Sequence, residues 1–241
     1  MKYLILITIT LLIIINSCLR SPVEPANKVK TYYRADLIVA APGQGSGPYK
    51  DPALLTNGVF AGENDVFTIT GLDSNNFIIL GWQEHTVING AGSDLAVMEN
   101  PFIIGGNAAA VFMEQAVIAV SSDMSNWVEF PHDYLNTNEN SYVPNPALWS
   151  GFAGVKPVHY HETTNRVDIF ASGKAGGDHF DLDDLPDTVH GRQIKSNGFK
   201  YIKITAAAAV VNPDTGSNFV YDKDNFYNGP DIDGVYARYV K

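Results

Sequence analysis

The sequence predicts an all-β protein, a single antiparallel β-sandwich of jelly-roll type, and three observations carry that expectation. Short apolar runs alternate with turn signals along almost the whole chain. No long stretch keeps the i, i+3, i+4 spacing of an amphipathic helix. Four Asn-Gly pairs, beginning at Asn57, Asn89, Asn197 and Asn228, mark tight turns because both residues tolerate positive φ. Between the turns, strands are expected at 36–40, 66–70, 77–82, 95–98, 116–121, 127–130, 167–170, 201–205 and 235–240. The clearest hairpin runs from 117–121 through Ser122-Asp123-Met124-Ser125-Asn126 into 127–130. Ala206 to Ala209 reads equally as a helical turn or as a buried strand extension. So many strands with no helical crossover favour an antiparallel sandwich of jelly-roll type.

Ahead of this domain, MKYLILITITLLIIINSC places one basic residue, Lys2, before an apolar stretch at 4–15 and a small polar run into Cys18, the order of a signal peptide. A transmembrane anchor is the alternative, but the stretch is well short of the roughly 20 residues that cross a bilayer. Ile15-Asn16-Ser17-Cys18 resembles a lipobox of the relaxed, spirochaete type, which implies cleavage before Cys18 and lipidation (palmitate) of that cysteine. The expected organisation is a signal peptide at 1–17, lipidated Cys18 with a flexible tether at 18–33, and a sandwich domain at 34–241. The tether LRSPVEPANKVK carries two prolines and mixed charge with no apolar periodicity. Cys18 is the only cysteine, so core burial rather than a disulfide holds the fold. The expected location is the cell envelope, lipid-anchored at the outer membrane or cell surface; Leu19 stands where enteric inner-membrane lipoproteins carry an aspartate.

Formal net charge is -10, and loss of Lys2 with the signal peptide makes it one more negative. No Lys/Arg cluster of useful size is present, which argues against nucleic acid and against docking on anionic lipid through a basic surface.

Four segments in order, GAGSDLAVMENPF (90–102), VIAVSSDMSNWVEF (117–130), AGGDHFDLDDL (175–185) and GPDIDGVYARY (229–239), resemble a family of bacterial cell-surface proteins and lipoproteins known mainly from sequence. Members of that family usually carry a glycine-Asp-Phe-x-Val-Phe-Glu-Asn segment, a hairpin with Ser-x-Asp-Gly at its turn, a Gly-Gly-Asp-x-Phe-Asp-Leu segment and a terminal Phe-Asp-Leu-Asp-Ala-Val strand. The order and the acidic positions are kept here, whereas Leu95 and Met98 replace aromatics, Met124 replaces the turn glycine, and Ile232 and Gly234 depart from the last motif. The resemblance implies a β-sandwich of the sort used by surface binding modules and brings no established catalytic activity.

Asp94, Glu99, Asn100, Asp178, Asp181, Asp183, Asp231 and Asp233 lie in those segments, at expected strand ends beside glycines. Hard oxygen donors from separate parts of a chain suit calcium, which takes about six to eight of them. The ligand set expected here is drawn from Asp94, Glu99, Asn100, Asp178, Asp181, Asp231 and Asp233. The competing reading is that Asp and Asn begin and end turns by bonding their own backbone. No EF-hand is present, because Phe226 occupies the third position of the run from Asp222 and Asp224.

His159-Tyr160-His161-Glu162 puts two imidazoles on one side of an extended segment, but Glu162 follows too closely for a cupin-type metal site and no second histidine motif appears. No G-x-S-x-G elbow, phosphate loop or dinucleotide fingerprint is found. Trp82 and Trp127 sit in apolar strands and read as core, whereas Trp149, in the loop 144–154, is the expected exposed platform for a sugar ring. The function expected is a membrane-anchored binding module for a glycan or a host or envelope protein. A structural envelope lipoprotein without a small ligand and a glycan-active hydrolase are the alternatives.

Overall fold

A computed structural model describes residues 32–42, 47–60, 65–72, 75–223 and 228–241. The expected signal peptide, Cys18 and the tether as far as residue 31 lie outside the described residues. The strands are β1 (Tyr33–Arg34), β2 (Leu37–Ala40), β3 (Phe67–Thr68), β4 (Phe77–Gly81), β5 (Leu95–Glu99), β6 (Phe102–Ile103), β7 (Val111–Phe112), β8 (Ala116–Ser121), β9 (Val128–Glu129), β10 (Asp133–Tyr134), β11 (Trp149–Ser150), β12 (Asp178–Phe180), β13 (Tyr201–Ala206) and β14 (Asp231–Ala237). Three α-helices, α1 (Leu54–Asn57), α2 (Ser172–Ala175) and α3 (Val189–Asn197), lie between them.

The strands form two five-stranded antiparallel sheets and two small hairpins. One sheet has the order β1-β14-β5-β12, with β3 also on β14; the other has the order β2-β4-β13-β8-β9. Alternation decides which side chains face the core. Along β13, Ile202, Ile204 and Ala206 are buried while Tyr201, Lys203 and Thr205 are half-buried, the period-two signature of a strand with one covered face. Ile78 and Leu80 of β4, Ile118 and Val120 of β8, and Ile202 and Ile204 join Leu95 and Val97 of β5 and Val235 and Ala237 of β14 in one apolar cluster. The two sheets therefore share a core, and each such branched side chain contributes roughly 1.5–3 kcal/mol relative to exposure. Strand β8 is buried on both faces because its other side meets a second cluster, in which Val117 packs with Tyr134, Trp149, Phe152 and Phe219. A third cluster, on the far face of β5 and β14, gathers Ala96, Met98, Tyr160, Phe170 and Tyr236.

The sequence expectations need five corrections. The run at 167–170 is not a strand: Phe170 N–H is held by the Asp168 side chain and Ala171 N–H by the Asp168 carbonyl, so Ile169 is buried from a turn. An apolar run records burial, and burial does not require extension. The last strand begins at Asp231 and ends at Ala237, earlier than the 235–240 expected. The domain starts before residue 34, since Tyr33 and Arg34 already pair with Ala237 and Tyr236. Trp127 is only half-buried, with Lys203 Nζ 5.1 Å above its ring, so it is not a core residue. Two of the Asn-Gly pairs close helices and are not turns between strands: Gly58 follows α1 with φ 109° and Gly198 follows α3 with φ 81°. A glycine with positive φ serves a helix C-terminus as readily as a turn.

Candidate functional site

Residues on β11, β12 and the segment between them line a cavity of about 290 Å³. Trp149 and Phe152 give it apolar walls, and Lys156, Asp178 and His179 bring polar groups to it. Trp149 is reached through a short 3₁₀ turn, Pro146–Leu148, whose preceding Asn145 side chain accepts from Ala147 N–H. Its pairing on β11 then stacks it on Tyr134 with ring centroids 4.0 Å apart, and its indole N–H donates to the Val143 carbonyl at 3.3 Å. The exposed platform expected at Trp149 is therefore not found: the residue is 4% exposed, because the stretch 144–154 folds back as turn and strand. It serves the cavity as a wall.

Asp178 faces Val97 across the β12–β5 pairing. Its Oδ2 accepts the Val155 N–H at 2.9 Å and the Lys156 N–H at 3.3 Å, and Lys156 Nζ stands 3.9 Å from Oδ1. Burial pushes its carboxyl up to about 6 although the amides and Lys156 pull the other way. His179 shares a hydrogen bond with the Ile169 carbonyl at 3.1 Å, and burial, followed by the charge of Lys156, lowers its pKa, so the ring at neutral pH is uncharged.

The acidic residues singled out in the sequence fall into three neighbourhoods. Asp94, fully buried, accepts the Gly90 N–H and the Leu182 N–H, each at 2.8 Å, and thereby ties the 90–94 loop to the end of β12. Burial raises its carboxyl to about 6, with nearby Asp181 and Asp183 adding to the rise. Asp181 caps its own 3₁₀ turn by accepting from Asp183 N–H, and Asp183 accepts from the Asn89 side chain. The second neighbourhood surrounds Glu99, 2% exposed, whose Oε1 accepts the Asp231 N–H at 3.0 Å and whose Oε2 has no hydrogen-bond partner. Burial, then the charges of Glu114 and Asp231 and more weakly Asp178, hold Glu99 well above the usual carboxylate range. Glu114 itself accepts the Asn228 and Gly229 N–H groups. Three expected ligands, Glu99, Asp178 and Asp231, thus share one electrostatic neighbourhood with a residue that sequence reading passed over, Glu114. The signal for Glu114 was available, as a charge inside the apolar run VFMEQAV implies a buried, partnered carboxylate.

Asp233 stands apart from both groups, with Asp65 and Glu162 as its charged neighbours. Asn100 is exposed and joins none of them. Among the described residues no three His, Cys, Asp or Glu side chains stand together at metal-ligand spacing. His161 is occupied as a turn cap, its Nδ1 accepting from Thr163 and Thr164 N–H, so the His-Tyr-His run builds a turn. Glu162, the residue that spoiled the cupin pattern, accepts from Tyr236 and Tyr160 hydroxyls. Among the described residues no helix is long and apolar enough to cross a membrane. No protein-family model matches the chain, and no curated protein matches it as a relative.

Proposed function

We propose that the chain is a membrane-anchored surface lipoprotein acting as a calcium-stabilised binding module, on a β-sandwich of jelly-roll type, with a glycan as ligand. The observation that carries this reading is the cavity at Trp149, Phe152, Lys156, Asp178 and His179. Its volume is near the lower end of the roughly 300–1,000 Å³ of small-ligand sites, so it suits one or two sugar rings better than a protein segment. Apolar walls cover a ring face, while Lys156 and His179 offer hydrogen bonds to hydroxyls. The calcium ion expected from the sequence is assigned in this reading to the protein's buried acidic residues.

Titration of the protein with a panel of monosaccharides and short glycans, followed by calorimetry, tests the site. Lys156 is more than half exposed, so Lys156→Ala leaves the fold intact and is expected to weaken a true glycan ligand by about tenfold, the worth of a charged hydrogen bond. No binding across the panel, or binding untouched by Lys156→Ala, overturns the reading.

A structural envelope lipoprotein is the second reading, favoured by one feature. The β6–β7 hairpin exposes Phe102, Ile103 and Ile104 together, on a segment from Pro101 to Met113 without a single charge. An apolar tip of that kind marks a contact surface. Glycan hydrolysis has less support, since Asp178 is the single carboxylate among the residues lining the cavity, and paired carboxylates are what that chemistry needs.

A further inference from the structure

We propose that Asn57, Asp65 and Asp233 bind one divalent cation of the calcium class where β14 is bulged. The proposal shares the ion with the reading above but is independent of the cavity and of the Glu99 neighbourhood. The register of β14 against β5 slips between Ile232 and Gly234, which leaves Asp233 as the extra residue of a bulge. Bulges re-aim side chains and gather at functional sites. Asp233 is 8% exposed and its Oδ1 has no hydrogen-bond partner.

Two further oxygens share that condition. Asn57 Nδ2 donates to Asp65 Oδ1 at 2.7 Å, which fixes the amide's orientation and leaves Asn57 Oδ1 and Asp65 Oδ2 buried without a donor. Buried acceptors are normally satisfied, so three such oxygens from three stretches of chain, two of them on a hydrogen-bonded pair and the third on a carboxylate whose charged neighbours include Asp65, call for a shared positive partner. Glu162 closes the group from the tyrosine side, its oxygens accepting the Tyr236 hydroxyl at 2.9 Å and the Tyr160 hydroxyl at 3.1 Å. Arg34 lies 3.7 Å from Glu162 and donates to the Asn57 carbonyl at 2.8 Å. Gly58, at φ 109°, permits this approach, since a Cβ there would come within 2.5 Å of Arg34 Nη1.

The charges choose the ion. Asp65, Asp233 and Glu162 against Arg34 leave two negative charges, which one divalent cation neutralises. Oxygen-only donors favour a hard ion over zinc or copper, and three protein ligands leave room for the waters that complete a calcium shell. Two carboxylates and an amide also form a site without any third acidic ligand, in keeping with the absence of a three-acid group among the described residues.

Terbium luminescence in the full-length protein tests the proposal, because Tyr160 and Tyr236 lie beside the site and sensitise a bound lanthanide. The expected result is emission on tyrosine excitation, displaced by calcium, with affinity weakened at least about tenfold in both Asp233→Asn and Asp65→Asn. Glu99→Gln is expected to leave it unchanged. Both Asn variants conserve shape, and an unaltered circular dichroism spectrum shows that they fold. Emission that survives in both, or that is lost in Glu99→Gln alone, overturns the site and moves the ion to the Glu99 neighbourhood. No emission, together with a melting midpoint unmoved by millimolar calcium, overturns it in favour of a buried water or a proton on Asp233.

Discussion

Asp94, just before β5, and Asp233, on β14, are buried carboxylates of the same sheet, and the protein uses them in opposite ways. Asp94 is fully buried, and its carboxylate holds two backbone N–H groups from separate loops. Asp233 is almost as buried but keeps an oxygen without a donor. Desolvation raises both carboxyls, Asp94 to about 6 and Asp233 to about 8, and the difference has a cause: amides at Asp94 favour the charged form, whereas Asp65 and Glu162 at Asp233 oppose it. A buried acid is thus a brace where amides converge on it and keeps an unpartnered oxygen where they do not. Asp178 belongs with the braces, and Glu99 with the acids left partly unpaired.

The contrast breaks most sharply on removal of a brace. Asp94→Ala strands the Gly90 and Leu182 N–H groups in the interior, and each unsatisfied donor costs about 1–3 kcal/mol. A loss of about 3 kcal/mol or more in urea denaturation, at unchanged m, is the expected outcome. A loss below about 1 kcal/mol would show that the two amides find other acceptors and that Asp94 is no brace.

The next largest effect is read against pH in the presence of a chelator. A carboxyl whose folded pKa is raised binds more protons folded than unfolded, so stability is greatest below the unfolded pKa and is lost as pH climbs to the folded one. Asp94 and Asp178 place one part of that loss between about pH 4 and about pH 6, and Asp233, facing Asp65 and Glu162, extends it to about pH 8. Asp233→Asn is expected to flatten the upper part of the melting profile and leave the lower part. An unchanged fall above pH 6 would assign it to other groups. Glu99→Gln follows with a smaller effect of the same sign: an amide set among Glu114, Asp231 and Asp178 never has to ionise, so the variant gains about 1 kcal/mol over the wild type in chemical denaturation at the alkaline end of the profile, and a loss would class Glu99 with the braces.

The sequence made the β architecture legible wherever one face of a strand is covered. Strand β8 matches its expected bounds, and β4, β5 and β13 differ by a residue at an end, because alternation or a continuous apolar run survives in the local sequence. It hid α3, whose helical character rests on Thr188 capping Gly191 N–H and on Gly198 ending the last turn, not on an apolar stripe. It also hid short strands such as β11 and β12, which exist only through partners far along the chain. For the candidate sites, residue type was legible and grouping was not. Asp233 belongs with Asn57 and Asp65, and Asp178 with the cavity, because of a bulge and a sheet order that no local spacing encodes.

The smallest effect tests the brace principle at the surface. Asp123 is exposed, and its carboxylate accepts the Ser125 and Asn126 N–H groups at 2.8 Å each, which hold its pKa well below the usual carboxylate range, mainly through Asn126. The turn it braces forces Met124 to φ 62°, the one non-glycine residue at positive φ among those described. A left-handed conformation costs an ordinary residue about 1–2 kcal/mol, of which glycine gives back roughly half through its freer unfolded chain. Met124→Gly is therefore expected to stabilise the protein by about 0.5 kcal/mol, since the exposed methionine side chain buries little that would be lost. A destabilised variant would mean that the Met124 side chain makes a contact in the folded or assembled protein that outweighs the strain.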